Sequence, residues 1–170
     1  MRFDYWDINR LVRRLAMQVK ISTLLRCAPE RIWQEVQTTK LLRYIAHPLV
    51  LFEPITPNTF PEKWNDERYC VRMWLFRWFP FGKQWIVIRR TEMQGEYELL
   101  DDGHGDMITR WRHLITLRPT AEGFTQYTDT VDIGAGLLTF GVWLFANFFF
   151  RYRQSRWRRL VARNFNYGES

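Results

Sequence analysis

Three polar residues, His113, Tyr127 and Asp129, have the types and the spacing that acid–base chemistry needs. The segments 107–117 and 124–133 alternate in polarity and are separated by a short polar turn, which predicts two neighbouring antiparallel strands. Residues two apart share a face of a strand, so Tyr127 and Asp129 should lie side by side. A histidine paired with a carboxylate is an oriented base, and a cyclase or dehydratase would use such a base, with the tyrosine orienting its substrate. The alternative is that the three groups only satisfy each other's hydrogen bonds in the core.

The charges on the opposite face set the direction in which these residues point. On the first of the two strands, Arg110, Arg112 and Arg118 are too charged to face a core. Trp111 and His113 are therefore expected to point inwards. A largely apolar space with a few oriented polar groups is the usual make-up of a small-molecule site.

Aromatic residues make up 17% of the chain, which favours an interior lined by rings over a tight aliphatic core. The register of the segments 69–79 and 85–93 stays open, because a slip of one residue reverses the set of inward side chains. Ordinary core packing is the alternative role for each ring. The candidate ligand-binding residues are Trp33, Trp74, Phe76, Trp85, Val87, Trp111, His113, Tyr127, Asp129, Phe140 and Leu144.

A strand and two short helices are predicted ahead of these segments. Alternation indicates a strand over 19–25. Pro29 suits the first turn of a helix, where its missing N–H costs nothing, and Glu30 suits the positive end of the helix dipole. Thr38 or Thr39 can cap a second short helix.

Between residues 49 and 133 the chain is predicted as strands joined by polar turns, which favours sequential antiparallel pairing. The stretch 101–106 combines three aspartates, two glycines and His104. It lacks the spaced oxygen ligands of a calcium loop, and the 3 histidines of the chain cannot build a convincing zinc site. We interpret it as a hairpin turn and predict no metal site. The predicted strands cover 49–53, 69–79, 85–93, 97–100, 107–117 and 124–133.

The C-terminal part predicts one long helix over 137–162, a range without proline. Residues 133–150 carry no charge, whereas 151–163 carry arginines and no acid. Because glycines open the uncharged stretch, its helical part is short for a membrane span and suits a buried or interfacial helix. Aromatic residues beside arginines are typical of helices that lie on anionic membranes; a solvated helix end is the alternative. The candidate surface-binding residues are Arg151, Arg153, Arg156, Arg158 and Arg159.

The composition narrows the class of protein further. The 170 residues suffice for one core, and the net charge of +7 sits mainly at the two ends. The 2 cysteines form no CxxC pair, and the first residues are charged where a signal peptide is apolar, so we expect a cytoplasmic protein. Peripheral contact with a membrane is compatible with that location. No phosphate-binding glycine loop, GxSxG elbow or HExxH motif is present, and no cofactor is predicted.

In the order of its elements and in several local motifs, the chain resembles the helix-grip superfamily, also called SRPBCC. This group includes the START-like lipid-transfer domains, the birch-pollen-allergen-like plant proteins and the polyketide cyclases and dehydratases. The stretches that carry the resemblance are Ala28–Trp33, Phe79–Gly82, Ile108–His113, Tyr127–Val131 and Phe150–Gln154.

The resemblance implies an α+β domain over 19–165. Ahead of it, apolar residues at helical spacing opposite arginines predict an amphipathic helical extension over 1–18. The expected architecture of the domain is a curved antiparallel sheet of about seven strands wrapped around the long C-terminal helix, with two short helices after the first strand. Members of the superfamily bind sterols, lipids, quinones, polyketides and hormones, and a fold alone does not settle the function.

Three functions therefore compete. The leading hypothesis is a binding protein for a hydrophobic small molecule or lipid, held between the sheet and the C-terminal helix. The second is a cyclase-like enzyme that uses His113, Asp129 and Tyr127; the sequence favours binding over catalysis. The third is a module that contacts a surface through the arginines, for which an anionic membrane is favoured over nucleic acid. The sequence does not predict the oligomeric state.

Overall fold

The computed structural model describes residues 16–93 and 96–168. The predicted helix within 1–18 lies outside the described residues, except that residues 17 and 18 already belong to the first strand. The elements are β1 (Met17–Leu25), α1 (Pro29–Val36), α2 (Thr39–Ala46), β2 (Val50–Thr56), β3 (Arg68–Leu75), β4 (Phe79–Met93), β5 (Glu96–Gly105), β6 (Arg110–Pro119), β7 (Thr125–Gly134), a 3-10 turn (Gly136–Leu138) and α3 (Thr139–Ala162).

The strands form one antiparallel sheet of seven, in the order β1-β7-β6-β5-β4-β3-β2. Each hairpin joins sequential neighbours, as short polar turns dictate, and β1 closes the sheet against β7. The sheet curves around α3, which confirms the predicted helix-grip α+β fold. The pairing of β6 with β7 sets Ile115 opposite Asp129 and His113 opposite Val131, so the polar residues of the two strands lie on one face.

The two short helices begin where the sequence predicts. Pro29 opens α1 with Glu30 beside it in the first turn. Thr38 caps α2, since its hydroxyl accepts a hydrogen bond from the Leu41 N–H at 3.1 Å. Both helices bury an apolar stripe in the core.

Hydrogen bonds from its side chains fix α3 to β1. Gln154 donates to the Ile21 carbonyl at 2.7 Å, and the Trp143 indole donates to a β1 carbonyl at the opposite end of the helix. The face of α3 that turns towards the sheet buries Phe149, Phe150 and Trp157. None of the helices in the described residues is long and apolar enough to cross a membrane.

Two predicted turns are wrong. The chain reverses at 76–78, where Phe76 and Arg77 have positive φ angles of 54° and 74°, and not at 80–84, between the predicted strands 69–79 and 85–93. Aromatic and basic residues occupy these positions instead of the usual glycine or asparagine, so the turn carried no sequence signal. The stretch 101–105, predicted as a turn, continues β5, which therefore carries Asp101 and Gly103 into the sheet.

Candidate functional site

A cavity of about 330 Å³ lies between the sheet, α2 and α3. Most of its wall is apolar, and four polar side chains also line it: Gln84, Asp101, His113 and Arg153. Gly141 and Leu138, at the start of α3, border the cavity and are exposed, so the cavity reaches the surface there. Its apolar lining includes Leu41, Ile45, Val50, Met73, Leu75, Ile86, Ile88, Leu99, Trp111, Ile115, Phe145 and Phe149.

The predicted polar residues form one hydrogen-bonded cluster behind this wall. Nε2 of His113 lies 2.8 Å from Oδ1 of Asp129, and the Tyr127 hydroxyl donates to the same oxygen at 3.0 Å. Gln154 donates to Oδ2 of Asp129 at 3.1 Å. Asp129 and Tyr127 are fully buried and do not line the cavity, so His113 is the member of the triad that a ligand could touch.

The charges of this cluster balance. Burial works to raise the pKa of Asp129, but the Arg153 guanidinium and the hydrogen bonds from His113 and Gln154 outweigh it, and the pKa lies below its usual value. Burial lowers the pKa of His113 against the pull of Asp129. With Asp129 ionised and His113 neutral, we assign the imidazole proton to Nε2, which donates to the carboxylate. Nδ1 then carries a free lone pair.

Arg153 was predicted on the surface and is instead buried, with 5% of its area exposed. Its guanidinium lies 4.0 Å from Oδ1 of Asp129 and packs over the ring of Phe150 at 4.9 Å. A buried carboxylate needs a compensating charge, and this arginine supplies it. The helix brings Arg153 onto the face that also carries Phe149 and Phe150, so its interior position follows from helical spacing.

The other arginines of the predicted surface set differ among themselves. Arg151, Arg158 and Arg159 are exposed. Arg156 is half-buried, with its guanidinium 4.3 Å from the centre of the Tyr44 ring. Arg158 also donates to the Thr23 hydroxyl at 2.9 Å. The basic face of α3 is thus smaller than the sequence indicated.

Two polar residues that line the cavity, Asp101 and Gln84, were not predicted from the sequence. Asp101 lies opposite His113 on the neighbouring strand, and its carboxylate accepts the Val87 N–H at 2.9 Å. Burial, only partly offset by that bond, raises the pKa of Asp101 from 3.8 to about 7. Gln84 lies on β4 opposite Gly105. The three aspartates and two glycines of 101–106 favour a turn, and this local preference hid the inward position of Asp101.

The sequence left two registers open for β3 and β4, and the one that places the candidates Trp74, Phe76, Trp85 and Val87 at the cavity is wrong. Met73 and Leu75, with Ile86 and Ile88, line the cavity, and the opposite face carries the predicted tryptophans. On that face Trp74 donates its indole N–H to Glu53 at 3.3 Å, and Trp85 lies under the guanidinium of Arg68 at 5.1 Å. Surface acids and arginines thus accommodate both indoles without burial in the core. Trp74, Trp85 and Val87 lie on this outer face, and Phe76, in the turn after β3, does not line the cavity either.

Three further predicted residues do not line the cavity. Trp33 packs in the core, where it stacks on Tyr97 at 5.3 Å and donates to Glu92 at 2.6 Å. Phe140 and Leu144 are 62% and 57% exposed. The start of α3 is apolar all round, so its sequence could not indicate which side faces inwards.

Known proteins resemble this chain in structure but not in sequence. The sequence matches no protein-family profile and no curated protein. A protein from Thermus thermophilus superposes with a TM-score of 0.59 at 13% identity, over 87% of this chain and 99% of the other. A START superfamily protein from Mycobacterium smegmatis gives 0.55 at 8% identity, over 86% and 97%. Norcoclaurine synthase from Thalictrum flavum gives 0.59 at 11% identity, over 86% and 93%.

These similarities define the class of the molecule by its architecture. The chain has the START-like, or SRPBCC, helix-grip fold, as the sequence resemblance implied. At such identities the structural neighbours establish the fold alone and transfer no activity.

Proposed function

We propose that the protein binds a hydrophobic small molecule or lipid in the cavity between the sheet and α3. The observation that carries the proposal is the cavity itself, which has about 330 Å³ of space and a mostly apolar wall. A volume of this size falls in the range of small-molecule pockets. Protein interiors otherwise pack without voids of this size, so an apolar occupant would recover lost contacts with the wall.

Gly141 offers a way to test the role of the opening. It borders the cavity near the start of α3, and a Cβ added there would meet no other atom within 4 Å. We expect Gly141→Trp to fill part of the opening and to weaken binding of the neutral dye N-phenylnaphthylamine at least about tenfold, or 1.4 kcal/mol. Dye fluorescence measures the affinity.

Gly141→Ala is the matched control for this variant. Both substitutions remove a helical glycine and are expected to raise the free energy of unfolding by up to about 1 kcal/mol. Only the large side chain should affect the dye. Equal binding by the tryptophan and alanine variants would contradict an entrance at Gly141.

A second proposal is that the opening docks on an anionic membrane. Leu138 borders the cavity, and seven further exposed apolar residues lie within three positions of a cavity-lining residue in the chain. We call these eight residues the mouth patch, which consists of Phe76, Trp78, Phe79, Met107, Leu137, Leu138, Phe140 and Leu144. Trp78 is 74% exposed and Leu137 98% exposed, which is unusual for large apolar residues grouped together. The ring of Phe76 packs edge-to-face against that of Phe145, a cavity-lining residue, with 6.0 Å between the ring centres.

Basic residues flank the mouth patch and favour lipid over another apolar partner. Arg77 is exposed between Phe76 and Trp78, and Arg151 is exposed on the same side of α3 as Leu144, two turns further along the helix. Aromatic side chains enter the membrane interface while arginines bind anionic headgroups, and such docking would let a ligand pass between bilayer and cavity.

Vesicle flotation tests the docking surface. The protein is expected to float with phosphatidylglycerol vesicles at low salt and less at high salt, because arginine contacts are screened. Replacing Trp78, Leu137 and Phe140 together by serine should abolish flotation. Leu24→Ser, which removes a 42% exposed leucine on β1, is the matched control. Unchanged flotation of the triple variant, or no flotation of the parent protein, would exclude this surface.

A further inference from the structure

Two buried hydrogen-bond donors of the cavity have no partner among the described residues. They are Nε of Arg153 and Nε2 of Gln84, whose residues are 5% and 6% exposed. Both residues line the cavity. Buried polar atoms nearly always have a partner. Within the part of the chain that the structure describes, Nε of Arg156 and Nε1 of Trp157 are also unpaired but belong to residues that do not line the cavity, so Arg153 and Gln84 carry the pair that a bound molecule could supply with oxygen acceptors.

The polar residues form a row on the cavity floor. Asp101 on β5 lies opposite His113 on β6, and Gln84 lies on the next strand, β4. A Cβ added to Gly103 would lie 3.0 Å from Oδ1 of Asp101 and 3.2 Å from Nε2 of Gln84. The carboxyl and the amide therefore converge over a residue without a side chain. Glycine is needed there, because a Cβ would also clash with the backbone carbonyl oxygen of Trp85.

The charges of this row argue against an anionic ligand. Arg153 is the cation of the cavity wall, and it already faces Asp129 at 4.0 Å. Asp101 adds a second carboxyl to the same region. A ligand carboxylate would bring a third acid to one guanidinium, whereas a neutral oxygen accepts hydrogen bonds without adding charge.

We propose that the cavity selects apolar molecules that carry a neutral carbonyl oxygen, as a ketone does, and that this oxygen accepts hydrogen bonds from Arg153 and Gln84. The hydrocarbon part of the ligand then occupies the apolar space towards Gly141. This inference rests on the proposed function and specifies the ligand class for the same cavity.

Three probes of similar shape test the selection: butyrophenone, butylbenzene and phenylbutyrate. Isothermal titration calorimetry with the full chain should give an affinity for the ketone at least about tenfold above that for the hydrocarbon, since a site with unpaired donors discriminates against a ligand that lacks the acceptor. Phenylbutyrate is expected to bind more weakly than the ketone.

Gln84→Met removes one donor with little change of volume. It should reduce the preference for ketone over hydrocarbon several-fold and leave the affinity for butylbenzene unchanged. Gln126→Met is the matched control, because Gln126 is exposed on β7 and does not line the cavity. If Gln84→Met fails to fold, the three affinities of the parent protein still decide the question.

The outcomes separate this inference from the proposed function. Equal affinities for butyrophenone and butylbenzene would overturn the selection and leave hydrophobic binding intact. Tighter binding of phenylbutyrate than of the ketone would overturn the preference for a neutral oxygen. Binding of none of the three probes would contradict the proposed function and this inference together.

Discussion

Replacing Asp129 by alanine is expected to destabilise the domain by about 3–5 kcal/mol, enough to unfold it at ordinary temperature. The carboxylate is fully buried and accepts hydrogen bonds from Tyr127, Gln154 and His113. Without it, these donors and the charge of Arg153 would stay buried and uncompensated. Urea unfolding followed by tryptophan fluorescence measures the loss.

Asp132→Ala is the control on the same strand. Asp132 points to the opposite face and pairs with Arg110 and Arg112 at 3.9 and 3.7 Å, in contact with solvent. Surface pairs of this kind contribute less than about 1 kcal/mol, so this variant should remain close to the parent protein. Similar losses in the two variants would mean that the buried cluster has no special role in stability.

The cluster also predicts a response to acid. The pKa of Asp129 is lowered in the folded protein, so its contribution is fully present above the unfolded value of 3.8. It is lost as the pH falls through the lower, folded pKa. The difference in stability between the parent protein and Asp129→Asn should therefore shrink on acidification; a constant difference would contradict the ionised state of Asp129.

The second large effect is expected at Asp101, where substitution should raise the free energy of unfolding instead of lowering it. Burial raises its pKa from 3.8 to about 7, so the folded protein binds this proton more tightly than the unfolded chain does. The resulting stabilisation is complete below pH 3.8 and is lost as the pH rises through about 7. Above neutral pH, the buried ionised carboxylate destabilises the folded protein, and Asp101→Asn removes this destabilisation.

We expect Asp101→Asn to be as stable as the parent protein near pH 3.8 and more stable than the parent protein above about pH 7. The expected gain is on the order of 2 kcal/mol, less than the full shift implies because the cavity admits water. The asparagine oxygen can still accept the Val87 N–H. Asp102→Asn, on the exposed face of β5, is the control. A gain independent of pH would show that Asp101 is not the titrating group.

The part of the site that the sequence predicted rests on strong local rules. Alternation placed His113 inwards because its neighbours are arginines, and the same rule placed Tyr127 and Asp129 on one face. The hydrogen-bonded cluster follows from the register of β6 and β7. Sequence could not reveal that Tyr127 and Asp129 lie behind the cavity wall, because depth depends on the curvature of the sheet.

Other parts could not be predicted, for separate physical reasons. Asp101 lies in a stretch whose aspartates and glycines favour a turn, but pairing with β4 and β6 overrides that local preference. Arg153 was assigned to solvent together with the other arginines of 151–163, a stretch without acids; the acid that compensates its charge, Asp129, lies on a distant strand. Phe140 and Leu144 were assigned inwards because apolar residues surround the start of α3 on all sides.

Ligand binding inside the domain is the central claim, and methyl NMR tests it most directly. The isoleucine methyl groups of the full chain are followed during titration with butyrophenone. Ile86, Ile88 and Ile115 line the cavity, whereas Ile133 is fully buried and does not line it. Binding in the cavity predicts shifts of the first three and an unchanged signal from Ile133. If those three do not respond up to the solubility limit of the ketone, or if only surface methyls shift, the cavity is not the binding site.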